Sequence, residues 1–80
     1  MSKTKQNKAF DKRFGKYVKM KREEKGWTQV ELASRMENNF QNISRLERGE
    51  ITPTLFWCYK LADVLKMDLS TLLKEFDFHI

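Results

Sequence analysis

Residues 28–49 read TQVELASRMENNFQNISRLERG, and this stretch decides the fold. Thr28 is a good helix N-cap. Glu31, three residues on, completes a capping box, in which each side chain satisfies a backbone N–H of the other residue. Val30, Leu32, Ala33 and Met36 then recur at helical spacing. Glu37-Asn38-Asn39 stops the helix, because Asn favours turns and tolerates the left-handed conformation. Asn39 can cap a further helix from Phe40 to about Arg48, which buries Ile43 and Leu46 and ends at Gly49. A connection this short forces the two helices to cross steeply rather than lie antiparallel. Ala33 is small enough to let the second helix approach, and Ile43 is the branched apolar residue that points back at it.

The outward face of the second helix follows by subtraction. With Ile43 and Leu46 inward, Phe40, Gln41, Asn42, Ser44 and Arg45 remain for the surface. Amides pair with adenine and Arg with guanine on base edges, and an apolar group such as Phe40 suits a thymine methyl. A steep helix pair of this kind lays one helix across a DNA backbone and the other in the major groove. The plain alternative is that these side chains only face water.

Working outward, Phe14, Tyr17 and Val18 at three- and four-residue steps predict a helix from about Asp11, its N-cap, to Glu24, with Gly26 as terminator. Thr54 caps a helix to about Leu65, and Asp68 caps one from Leu69 to about Phe76. No segment alternates like a half-buried strand. The reading is all-α, with five helices. Residues 1–9 are polar and lysine-rich and are expected to form a flexible basic arm. Residues 10–76 form the domain, and 77–80 a short tail.

Eighty residues give room for one modest core. Cys58 is the single cysteine, so no internal disulfide forms, and with His79 alone beside it no four-ligand zinc site can be built. Cys58 is therefore read as a small buried apolar residue. No metal or cofactor is expected. Enzymatic activity is not expected either, since no nucleophile–base set, Gly-rich phosphate loop or paired carboxylates stand out. The longest apolar run, Leu55 to Tyr59, is far short of a membrane span of ~20 residues. No leader-like segment is visible, so a soluble cytoplasmic protein is expected.

Net charge is +5, and its placement is uneven. Residues 1–25 hold ten Lys/Arg against three Asp/Glu, whereas residues 50–80 hold three Lys against five Asp/Glu. A basic front half suggests that one face meets a polyanion.

The chain resembles the Xre/Cro/cI family of helix-turn-helix DNA-binding domains. The residues that carry the resemblance are Lys21-Arg22-Glu23-Glu24-Lys25-Gly26-Trp27-Thr28-Gln29, Leu32-Ala33 and Ile43-Ser44-Arg45-Leu46-Glu47-Arg48-Gly49. Pro53-Thr54 and Leu61-Ala62-Asp63-Val64-Leu65 follow at the family's spacing. The resemblance implies a compact lambda-repressor-like fold. It gives Thr28 and Gln29 a place at the DNA backbone, and gives base reading to Phe40, Gln41, Asn42 and Arg45, flanked by Asn39 and Ser44. It also implies phosphate contacts along the loop from Arg48 through Thr52 to Thr54, where a helix N-terminus favours an anion. Arg22 and Glu47 match positions that form a partly buried ion pair. The family's turn usually carries Gly where Glu37 stands. Asn bears positive φ better than Glu, so the turn is expected to shift, with Asn38 left-handed.

The fourth helix is apolar nearly all round, which suggests a second partner for it. Leu55, Cys58, Leu61 and Ala62 are expected in the core by alignment to the family. Phe56 and Tyr59, with Phe76 and Phe78, are expected at a homodimer interface, the alternative being a tail folded back over the helix. The function expected is sequence-specific binding of double-stranded DNA by a transcriptional regulator: a repressor, a restriction–modification controller or an antitoxin-like protein. The competing reading is a protein-interaction module that keeps the fold without specific DNA binding.

Overall fold

A computed structural model describes residues 4–76. Five helices follow one another: α1 (Lys5–Glu24), α2 (Gln29–Arg35), α3 (Phe40–Glu47), α4 (Leu55–Val64) and α5 (Leu69–Phe76). There is no strand among the described residues. α2, α3, α4 and α5 lie where the sequence predicts them. Phe78 and the rest of the expected tail, 77–80, lie outside the described residues.

α1 corrects two expectations. It begins at Lys5, so residues 5–9 of the supposed arm are helical, and its N-cap is Thr4 rather than Asp11. Thr4 Oγ1 accepts from the Asn7 N–H at 3.1 Å, and Asn7 Oδ1 accepts from the Thr4 N–H at 3.3 Å, a capping box built with Asn. Asp11 is instead buried inside the helix, where Thr52 Oγ1 donates to its Oδ2 at 2.8 Å and ties the α3–α4 loop to α1.

Phe14, Val18, Leu32, Met36, Ile43, Leu46, Leu61 and Leu72 are the fully buried apolar centre of the core. Cys58 is buried, and burial pushes its thiol pKa up. Phe76 corrects the interface expectation. It is buried, with its ring edge-on to Phe14 at 5.0 Å and to Phe10 at 5.5 Å, so it belongs to this chain's own core. α5 is fastened to α1 there and by Tyr17, whose hydroxyl donates to Glu75 at 2.9 Å. Lys21 pairs with the same carboxylate at 3.0 Å. The Lys21 hydrogen bond, with Tyr17 adding to it, holds the Glu75 carboxyl below the usual range. Leu55 is a further correction. It is 69% exposed, while Cys58, Leu61 and Ala62 on the same helix are buried as expected.

The α2–α3 turn differs from the expected geometry. Glu37, not Asn38, is left-handed, with φ 53°. The Glu37 N–H donates to Ser34 O at 3.2 Å and the Asn38 N–H to Ala33 O at 2.9 Å, the paired bonds of a Schellman ending. Asn38 is needed elsewhere. Its Oδ1 accepts from the Asn39 N–H at 2.8 Å and from Asn42 Nδ2 at 3.0 Å, bonds that set the entry to α3. Lys60 Nζ donates to Met36 O at 2.8 Å and closes the same helix end from α4. A side chain at positive φ costs roughly 1 kcal/mol that Gly escapes. Glu37→Gly is therefore expected to raise stability by about 0.5–1 kcal/mol in urea denaturation. A loss of stability would show that Glu37 makes a contact outweighing its strain.

Candidate nucleic-acid interface

Three helices position the candidate interface. α2 and α3 pack against each other, with Leu32, Ala33, Met36, Ile43 and Leu46 buried. α1 backs them. A Cβ placed on Gly15 would lie 2.5 Å from both Leu46 O and Glu47 O, so α1 and α3 cross backbone to backbone at this point. Sequence reasoning missed this role. The available signal was a glycine inside a strong helical pattern, which usually has a packing reason.

Arg22 and Glu47 lock the end of α3 to α1. Arg22 Nε donates to Glu47 Oε2 at 2.7 Å and Nη2 to Oε1 at 3.0 Å, a two-pronged pair. The side chains are 11% and 3% exposed. A third bond runs from Arg22 Nη1 to Trp27 O at 2.8 Å, fixing the loop before α2. The hydrogen bonding to the Glu47 carboxylate, with its charge, raises the Arg22 pKa against the opposing effect of burial. Gln29 Nε2 donates to Glu47 Oε1 at 3.1 Å, so the first residue of α2 joins the same network. Trp27 stacks under the Arg35 guanidinium, 4.2 Å from the ring centre.

The N-caps of α2, α3 and α4 stand where expected. Thr28 and Glu31 form their capping box, with bonds of 2.9 and 3.1 Å. Asn39 Oδ1 accepts from the Asn42 N–H at 2.9 Å, and Thr54 Oγ1 from the Trp57 N–H at 3.0 Å. α3 presents Phe40, Gln41 and Arg45 to solvent, with Ser44 and Asn42 half-buried beside them. Among the described residues, Gln41 makes no side-chain bond that would have to be given up. Asn42 is partly committed, since its Nδ2 already donates to Asn38.

The end of α3 is held by local charges. Arg48 pairs with Glu50 at 2.7 Å and also donates to Ser44 Oγ, while Arg45 lies 3.7 Å from Glu50. The hydrogen bond to Glu50 raises the Arg48 pKa. Glu50 therefore orients both arginines at the mouth of the loop. The Thr52 hydroxyl donates to Asp11, which leaves the Thr52 backbone N–H for the phosphate contact that the resemblance implies along this loop. Phe56 and Tyr59 lie apart from this face on α4, both exposed, their rings 6.5 Å apart and nearly parallel.

No group of His, Cys, Asp and Glu suited to a metal ion occurs among the described residues. No described helix is long and apolar enough to cross a membrane.

A pair of short helices joined by a tight turn and braced from behind by α1, with polar side chains outward on its second member, defines a helix-turn-helix domain. The profile of the Helix-turn-helix family matches residues 18–72, from the middle of α1 into α5. The chain belongs to that family, in its Xre/Cro/cI type, whose members are DNA-binding transcription regulators. No curated protein matches the sequence.

Proposed function

We propose that this protein binds specific sequences in double-stranded DNA by laying α3 in the major groove, and regulates transcription from those sites. The observation that carries this reading is the outward face of α3. Gln41 and Arg45 stand one turn apart on it, exposed, and the helix beneath them is fixed by the Arg22–Glu47–Gln29 network. Base reading demands such a rigid mount, because side chains must meet base edges within fractions of an ångström. Gln41 reads adenine, Arg45 guanine, and Phe40 packs on a thymine methyl. Thr28, Gln29, Asn39 and Asn42 sit at the borders of this face, where they position the helix pair on the duplex.

Two chains bind together, as a two-fold dimer on half-sites about one helical turn apart. Support for a dimer comes from α4, where Leu55, Phe56 and Tyr59 form an exposed apolar patch.

Arg45→Ala tests the reading. Binding to a preferred duplex is expected to weaken by about 1–3 kcal/mol, with much less change on random duplex at the same salt. Titration of both duplexes at two salt concentrations separates the effects. Equal weakening on both would reduce Arg45 to a phosphate contact and remove the main support for base reading.

A further inference from the structure

The first half of α1 carries a feature that base reading by α3 leaves unused. Lys5, Lys8, Lys12, Lys16 and Lys19 recur at steps of three and four, so they share one face of the helix. All five are exposed, and among the described residues none is ion-paired with a carboxylate. The first turn of α1 holds no acidic residue, so the positive end of the helix dipole adds to the lysines. Lys21 and Arg22, on other faces of the same helix, are by contrast both taken up in pairs.

This lysine face runs into the end of α3. A Cβ on Gly49 would lie 2.9 Å from the Lys12 Cα, so the loop after α3 rests against the α1 backbone there. Between them opens a concavity of about 600 Å³ lined by Lys8, Ala9, Lys12, Arg48, Gly49 and Glu50. Three cations edge it, and its single acid, Glu50, is bonded to Arg48. Lys5 stands one turn further out on the same face. From Lys5 to Lys12 is about 10 Å along the axis, the rise of roughly three phosphates on one strand.

We infer that the cleft between the N-terminal turns of α1 and the α3–α4 loop is a second phosphodiester site, in which Lys5, Lys8 and Lys12, beside the Arg48–Glu50 pair, hold the DNA backbone flanking the sequence that α3 reads. The inference rests on the DNA-binding reading and extends its footprint. Being helical, the lysines meet the backbone as a fixed row, so the site adds affinity without sequence preference.

The test is the triple variant Lys5→Gln, Lys8→Gln, Lys12→Gln in the full chain. Gln matches Lys in helix propensity, so α1 is retained. The control is Lys66→Gln, Lys74→Gln, in the α4–α5 region, which removes two charges against three and is compared per charge removed. Binding of each to a preferred duplex and to random duplex is followed as a function of salt. The log–log salt slope of the triple variant is expected to fall by about 2–3, at roughly 0.9 per lost phosphate contact. Its preference for the selected duplex over random duplex is expected to stay as in the wild type, and the control to keep the wild-type slope. The inference is overturned if the triple variant keeps the wild-type slope while Arg45→Ala still loses sequence preference, an outcome that leaves base reading standing. It is overturned as well if the control loses as much slope per charge removed as the triple variant, which would show a bulk charge effect. Salt-independent or absent duplex binding by the wild type would remove both proposals together.

Discussion

Gly15→Ala is expected to destabilise the fold by about 2 kcal/mol, despite putting a better helix former into the middle of α1. At a solvated helix position the same change gains about 1 kcal/mol. Here the new methyl would lie 2.5 Å from two carbonyl oxygens of α3, Leu46 O and Glu47 O. Backbone oxygens cannot swing aside as a flexible side chain can. α1 and α3 must separate, which opens contacts among Phe14, Val18, Ile43 and Leu46. Overpacking of this kind costs about 1–3 kcal/mol or more. For a domain of this size the net loss lowers the melting temperature by roughly 10 °C or more. Thermal and urea denaturation of the single variant check it. A gain in stability would mean that the two helices do not cross closely at this glycine.

Arg22→Ala is expected to cost about 3–5 kcal/mol, because it strands the Glu47 carboxylate, 3% exposed, without its cation. Glu47→Ala is expected to cost a similar amount, since Arg22 then loses two of its three bonds and Gln29 loses its acceptor. The two losses should not add. In a double-mutant cycle the second substitution costs far less than the first, because the partner it removes is already unsatisfied. Replacing both residues with apolar ones, Arg22→Met and Glu47→Leu, should recover much of the stability. The pair is thus less a source of net stability than a device that fixes where α3 ends. Single-variant losses under 1 kcal/mol would place the pair among solvated surface bridges.

Much of this architecture was legible in the sequence, for local reasons. Thr28 with Glu31, Asn39 and Thr54 are caps that use only neighbouring residues, so helix starts at 29, 40 and 55 could be read directly. Ile43 and Leu46 fix the inner face of α3, and that fixes the outer face. The Arg22–Glu47 pair was not readable from composition or spacing, only from family resemblance, because its partners are 25 residues apart.

What stayed hidden depended on other parts of the fold. The first turns of α1 show no clear apolar period, yet a helix nucleated over Phe10 to Val18 continues through them at little further cost, and Thr4 with Asn7 closes its start. Asn38 was the better local candidate for positive φ. Its side chain is needed at the entry to α3, so the strain falls on Glu37. On α4 an apolar surface all round gives the helix no readable phase. Packing against α5 helps decide it, and Cys58 is buried while Leu55 is left out. Phe76 looked like surplus apolar surface only because its partners, Phe10, Phe14 and Tyr17, are some sixty residues away in the chain.

Selection of bound duplexes from a random pool tests the central claim most directly. The account expects enrichment of a short common sequence, repeated as two inverted half-sites about one helical turn apart. With Arg45→Ala, the enrichment should vanish at a guanine in each half. Recovery of duplexes with no shared sequence, at a salt concentration where binding persists, would contradict the claim that α3 reads bases.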